Sequence, residues 1–219
     1  MAVQDTEERV VAKPGDPAMG VEGDYSGVFS SVHTFGRASM SDDGDLAFEG
    51  RSDEGRGIWY DNGTEDTLLI MQEGAIAPGL PDTTYFYSGN YPYLPRPYFP
   101  LMAGPGKVVF TAQVTGATGG VHLWRANMGE TGCSVYTSCL EPVFVRGDMV
   151  PGINAPYGLL WFQETRNDGF SVNSHGRIAF SAYYQERIDA DTWENRTGIF
   201  LSDEHGSISV VPGAANIED

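Results

Sequence analysis

The feature that most limits what this 219-residue chain can fold into is a pattern written three times. Ser41-Asp42-Asp43-Gly44-Asp45-Leu46-Ala47-Phe48 aligns with Ala103-Gly104-Pro105-Gly106-Lys107-Val108-Val109-Phe110 and with Asn173-Ser174-His175-Gly176-Arg177-Ile178-Ala179-Phe180. A second pattern precedes each copy: Val10-Val11-Ala12-Lys13-Pro14-Gly15 ending at Gly20, Leu69 to Gly74 ending at Gly79, and Val143 to Gly147 ending at Gly152. The intervals Gly15 to Gly44, Gly74 to Gly106 and Gly147 to Gly176 are 29, 32 and 29 positions. A third element follows: Gly57-Ile58-Trp59-Tyr60, Gly120-Val121-His122-Leu123 and Gly198-Ile199-Phe200-Leu201. Repeats of this length mark supersecondary units that cannot bury their own faces and must stack on their neighbours.

Each unit reads as strands. A short strand near Ala38 to Met40 runs into the Asp-Asp-Gly turn, and Leu46 to Gly50 leaves it, so Gly44, Gly106 and Gly176 supply the positive φ of a tight hairpin. Gly57 to Asp61 is the third strand, and Asn62-Gly63-Thr64 returns the chain into the fourth, Thr67 to Met71. The 28 glycines and 13 prolines, spread over the whole length, suit many short strands. Apolar residues at helical spacing are scarce. The expected fold is all-β, with three tandem four-stranded antiparallel units in a β-propeller-like array; a threefold β-prism-like arrangement is the alternative. The units fall at about 10–72, 73–145 and 146–211 of a single repeat domain, with 1–9 and 212–219 as terminal segments. Phe48, Phe110 and Phe180, with Ile58, Val121 and Ile199, recur at equal places and are the expected repeat core.

The fourth-strand pattern occurs four times, at Val10-Val11, Leu69 to Met71, Val143 to Val145 and Ser209 to Val211, against three copies of every other strand. A spare strand can pair with another molecule's sheet edge. Val10 and Val11 are therefore expected to complete an edge in a second copy, giving a closed homo-oligomer or a head-to-tail filament.

Charge narrows the partners. With 30 Asp and Glu against 13 Lys and Arg, the net charge is -17, and Lys13 and Lys107 are the only lysines. Such a surface repels phosphate backbones, which disfavours nucleic acid, and it repels anionic membrane surfaces too. No apolar run is long enough for a transmembrane segment. The opening MAVQDTEER is too polar for a secretory leader. Cys133 and Cys139 nevertheless bracket a short Ser-Val-Tyr-Thr-Ser loop, a separation that a hairpin brings within bridging distance. A disulfide there, adding roughly 2 kcal/mol at most, places the chain outside the cell or at the cell surface.

Catalytic chemistry finds little support. His33, His122, His175 and His205 lie far apart, no Gly-x-Ser-x-Gly elbow is present, and no phosphate-cradling glycine loop occurs. The chain is expected not to be an enzyme, and no cofactor is assigned. Asp42-Asp43-Gly44-Asp45 and Asp189-Ala190-Asp191 offer hard oxygen ligands suited to Ca2+, but neither completes a calcium loop, so the metal stays unassigned. The most unusual composition lies between Tyr85 and Phe99, which holds seven aromatics, among them Tyr85, Tyr87, Tyr91, Tyr93 and Tyr98, and three prolines. With Trp161 in the third unit, these residues offer flat apolar faces with polar tips, suited to a glycan or protein contact or to packing between units.

The motif copies resemble the bacterial secreted or surface-anchored tandem-repeat proteins defined by an NxxGxxAF pattern. The third copy matches at Asn173, Gly176, Ala179 and Phe180. The first has Ser41 in place of Asn, and the second has Ala103 and Val109 in place of Asn and Ala. The resemblance implies a surface location and a repeated β architecture, and it implies no reaction.

Overall fold

The computed structural model describes residues 9–26, 35–63, 67–81, 84–86, 100–116, 119–129, 139–155, 158–162 and 169–212. Among the described residues there are thirteen strands and no helix. The first sheet is antiparallel and runs in chain order through β1 (Phe35–Met40), β2 (Leu46–Ser52), β3 (Gly55–Asp61) and β4 (Leu68–Gln72). The second repeats the arrangement with β5 (Leu101–Met102), β6 (Lys107–Val114), β7 (Gly120–Asn127) and β8 (Leu140–Phe144). In the third, β9 (Leu159–Phe162) pairs with the far end of β11, and the path then runs β10 (Phe170–Val172), β11 (Ile178–Arg187), β12 (Trp193–Ser202) and β13 (Ile208–Val210).

The repeated glycines sit at equivalent corners. Gly44, Gly106 and Gly176 all have positive φ, at 93°, 64° and 80°, in the turn that joins the first two strands of each sheet. A side chain in that conformation would press its Cβ against the backbone, so the turn selects glycine. The first residue of the motif holds the same turn from its other end. Ser41 Oγ accepts the Asp45 amide at 3.1 Å, and Asn173 Oδ1 accepts the amides of His175 and Arg177 at 3.0 Å. Ala103 has no such acceptor, and there the turn is Gly104-Pro105-Gly106, with Gly104 also at positive φ.

After the fourth strand of one unit the chain makes a hydrogen-bonded loop and returns onto the next sheet. Gly15 N donates to Tyr25 O, Gly74 N to Phe86 O and Gly147 N to Leu159 O, at 2.9, 2.9 and 2.7 Å, and each bond has a reciprocal partner. Tyr25 then bridges to Ser52, Phe86 to Val114 and Leu159 pairs with Tyr184, so each loop is tied to the second strand of the following unit, at its last residue in the first two units and within the longer β11 in the third. The leading segment is therefore a third copy of this connection. Its expected strand does not form in the single chain: residues 9–13 are irregular, and Arg9 is hydrogen-bonded to Asp61 of the same molecule.

Strand alternation sends successive side chains to opposite faces, and here both faces are used. Ala47, Ile58, Tyr60 and Met71 of the first sheet meet Val108, Phe110, Ala112 and Trp124 of the second in one core. Val109, Leu123 and Phe144 on the other face of the second sheet meet Ile178, Phe180, Ala182 and Phe200 of the third. The remaining face of the first sheet, with Phe48, Trp59 and Leu69, is covered by Ala18 and Tyr25 of the leading loop, and Trp59 Nε1 donates to Met19 O at 3.0 Å. A middle sheet with a neighbour on each face is how propeller blades pack.

Two residues of the expected core differ. Val121 is only partly buried, because strand register makes Ile58, Leu123 and Ile199 the equivalent residues, facing Glu49, Thr111 and Ser181. Gly120 lies at the loop end of the β6–β7 hairpin opposite Val114, where the first unit has Gly55 opposite Ser52, and His122 stands where the other units have Gly57 and Gly198. The glycines leave room for an aromatic ring two residues on: a Cβ on Gly57 would lie 2.8 Å from Trp59 Cη2 and 2.8 Å from Met71 O. In the second unit the His122 ring instead stacks on Trp124, with centroids 6.5 Å apart. Ile199 occupies the right position but is only half-buried, for a reason that lies at the end of the stack.

Candidate functional site

The joints between units show how one sheet receives the next. At the first joint, the Ser39 hydroxyl on β1 accepts the Met102 amide at 3.0 Å. One Asp45 carboxylate oxygen accepts both the Tyr60 hydroxyl at 2.6 Å and the Gly106 amide at 2.7 Å. Asp45 is buried, and burial followed by its hydrogen bond pushes the Tyr60 hydroxyl well above the usual tyrosine range. The second joint uses other chemistry in the same places. Lys107, the positional equivalent of Asp45, lies under the Gly176 turn, and Arg125, the equivalent of Tyr60, donates to Asp203 O at 3.3 Å. Buried Arg125 is held by Glu141, whose Oε1 accepts its Nε at 2.7 Å. In both joints the turn of the following unit is seated on the preceding sheet.

The third unit presents the same face with nothing seated on it among the described residues. An open groove of about 460 Å³ is lined by Ser171, Arg177, Ala179, Leu201, Asp203 and Ser209. Register makes Ser171 the equivalent of Ser39, Arg177 of Asp45, and Leu201 of Tyr60. Tyr60 and Arg125 are buried, whereas Leu201 is 42% exposed. At the opposite end, Met40 is 70% exposed, while its equivalents Met102 and Val172 are partly buried against a neighbouring sheet. Val10 is 74% exposed, and Val11 packs partly against the first unit's outer core. These two end faces are the candidate functional site.

The other sequence candidates are dispersed. Tyr85 is exposed and bridges to Ile76 beside the first joint, while Tyr87, Tyr91, Tyr93 and Tyr98 lie outside the described residues. Trp161 belongs to β9, opposite Tyr183. Cys139 is buried at the start of β8 and Cys133 lies outside the described residues, as does His33. His122 is fully buried on β7, while His175 and His205 are exposed on turns of the third unit. Residues 185–195 extend the β11–β12 hairpin beyond its counterparts, with Arg187 over the Trp193 ring at 5.6 Å.

The acidic turns are engaged with their own backbone. Asp189 accepts the amides of Asp191 and Thr192 and the Thr192 hydroxyl, which lowers its carboxyl below the usual range. Asp203 does the same with the amides of Ser207 and His205. No group of three His, Cys, Asp or Glu that could hold a metal ion occurs among the described residues. No described helix is long and apolar enough to cross a membrane.

Stacked four-stranded sheets linked by return loops define an all-β repeat protein of propeller-like build. Residues 1–128 match the model of a family of unknown function, DUF7453, and because the match spans more than half of the chain, the protein belongs to that family. No curated protein matches it. A solved structure described as a BT0996 RGII complex superposes on 81% of the chain at 12% identity with a TM-score of 0.34, and the chain spans 55% of that structure's length.

Proposed function

We propose that this protein is a non-catalytic, extracellular structural repeat protein that self-associates through the ends and edges of its sheets into an oligomer or filament. The observation that carries this reading is the unequal burial of equivalent positions, since Leu201 at one end and Met40 at the other are exposed where the internal units bury their counterparts. Large apolar side chains left open on a sheet face favour association with a complementary surface. Light scattering over a range of concentrations tests it: mass that rises with concentration supports the reading, and a constant monomer mass refutes it.

A bridge between Cys133 and Cys139 belongs to the same reading, because it fits an oxidising compartment. It is supported by the absence of a free cysteine among the described residues.

A carbohydrate-binding role is the second reading, favoured by Trp193 and Ile188, which stay partly exposed on the long β11–β12 hairpin. Glycan-array binding that disappears in Trp193→Ala would establish it.

A further inference from the structure

We propose that the groove on the third unit seats the Met40–Gly44 turn of a second copy, so that copies join head to tail through a seam built like the two internal ones. This rests on the self-association reading and specifies its interface.

The internal joints supply the template. At the first, a serine hydroxyl on the edge strand takes the amide of an edge-strand methionine, Ser39 with Met102, and the glycine turn that follows lies on the residue at position 45. The groove repeats the receiving half: Ser171 stands where Ser39 stands and Arg177 where Asp45 stands. The first unit repeats the inserted half: Met40 stands where Met102 stands, and no atom lies within 4 Å of the place where a Cβ on Gly44 would be, whereas the same place on Gly176 lies 3.9 Å from Lys107 Cδ of the preceding sheet. The second copy also brings its own covering loop. Ala18 and Tyr25 already lie against its first sheet, as Ala77 and Phe86 lie in the first internal core and Val150 and Leu159 in the second.

Charge fits as well. The groove offers the exposed guanidinium of Arg177, its Asp203 carboxylate being engaged by the amides of His205 and Ser207, and the incoming turn carries the exposed carboxylates of Asp42 and Asp43. In a chain of net charge -17, a cation at this spot offsets the repulsion between copies where they touch. The residue at this position is acidic in the first unit, Asp45, and basic in the other two, Lys107 and Arg177, so the position accepts either sign.

Sedimentation of the full chain from about 1 μM to about 1 mM reads the association. Leu201→Asp, at an exposed site that leaves the fold intact, is expected to leave only monomer. Arg177→Glu is expected to weaken association roughly tenfold, as a reversed charge pair replaces an attractive one. Asp42→Lys with Asp43→Lys is expected to do the same, and the chain carrying all three charge reversals to regain wild-type association. Wild-type protein that associates but ignores all of these changes overturns the groove and leaves self-association standing. Wild-type protein that stays monomeric overturns both.

Discussion

Replacing Asp45 by Ala tests the joint between the first two units. In the folded chain one carboxylate oxygen accepts two hydrogen bonds, from the Tyr60 hydroxyl within its own sheet and from the Gly106 amide of the next. Both donors are buried, so neither finds water when the acceptor goes. A hydrogen bond to a charged acceptor contributes about 1.5–3 kcal/mol, and a buried donor left without a partner costs a comparable amount. Removing the carboxylate also relieves the cost of holding a charge away from water, which offsets part of the loss. The expected net effect is about 3 kcal/mol, or roughly 6–12 °C in melting temperature for a chain of this size. Urea and thermal unfolding followed by circular dichroism measure it. Asp45→Asn, which keeps an acceptor without the charge, is expected to lose about half as much, and Asp42→Ala on the exposed side of the turn less than about 0.5 kcal/mol. A cycle with Tyr60→Phe should show coupling of about 1–2 kcal/mol. If Asp45→Ala is as stable as wild type, the first two sheets are not joined in this way.

Gly57→Ala is expected to cost about 2–4 kcal/mol, because the new methyl meets a backbone oxygen and the Trp59 ring at 2.8 Å; denaturant unfolding measures it. Thiol titration of the unfolded, unreduced protein should find no reactive thiol, reduction should release two, and the reduced form should be less stable by roughly 2 kcal/mol at most; two free thiols before reduction would exclude the bridge. Asp189 and Asp203 titrate below their ordinary range, so the stability they lend is present above the unfolded-state carboxyl value, about 3.9, and is lost as pH falls through the depressed folded values. Asp148 is shifted upward by burial, so its contribution runs the other way and is lost as pH rises through its folded value; carboxyl chemical shifts followed against pH distinguish the three. Removing residues 1–13 should reduce the assembly if Val10 and Val11 complete an edge, and an unchanged mass would exclude that role.

The sheets and their order are legible in the sequence because turns demand particular residues. Gly44, Gly106 and Gly176 mark positive φ, and the phenylalanine four places on marks the strand that follows. The third strand of the second unit falls out of alignment when its glycine serves as the landmark, because Gly120 is the counterpart of Gly55 and His122 takes the place of Gly57 and Gly198. The aliphatic-aromatic pair is the better landmark: Ile58-Trp59, Leu123-Trp124 and Ile199-Phe200 keep register because their rings fill the cores.

The end faces are harder to read. Asp45 looks like any turn carboxylate until the next unit's amide lies beside it, and Leu201 looks like any strand leucine until its buried counterparts Tyr60 and Arg125 are superposed on it. Burial at a joint depends on residues about sixty positions away in the chain, as Asp45 and Gly106 are, and no local pattern records that distance. The spare fourth strand points to the open end of the stack, but the single chain leaves residues 9–13 without strand pairing.

The central claim is that one joint geometry recurs within the chain and again between chains, and disulfide trapping tests it most directly. Ser39→Cys with Met102→Cys in one molecule should cross-link internally. An equimolar mixture of a Ser171→Cys chain with a Met40→Cys chain should then yield a covalent heterodimer under the same mild oxidation. An internal cross-link without the heterodimer would contradict the joint between chains, and failure of both would contradict the stacked sheets themselves.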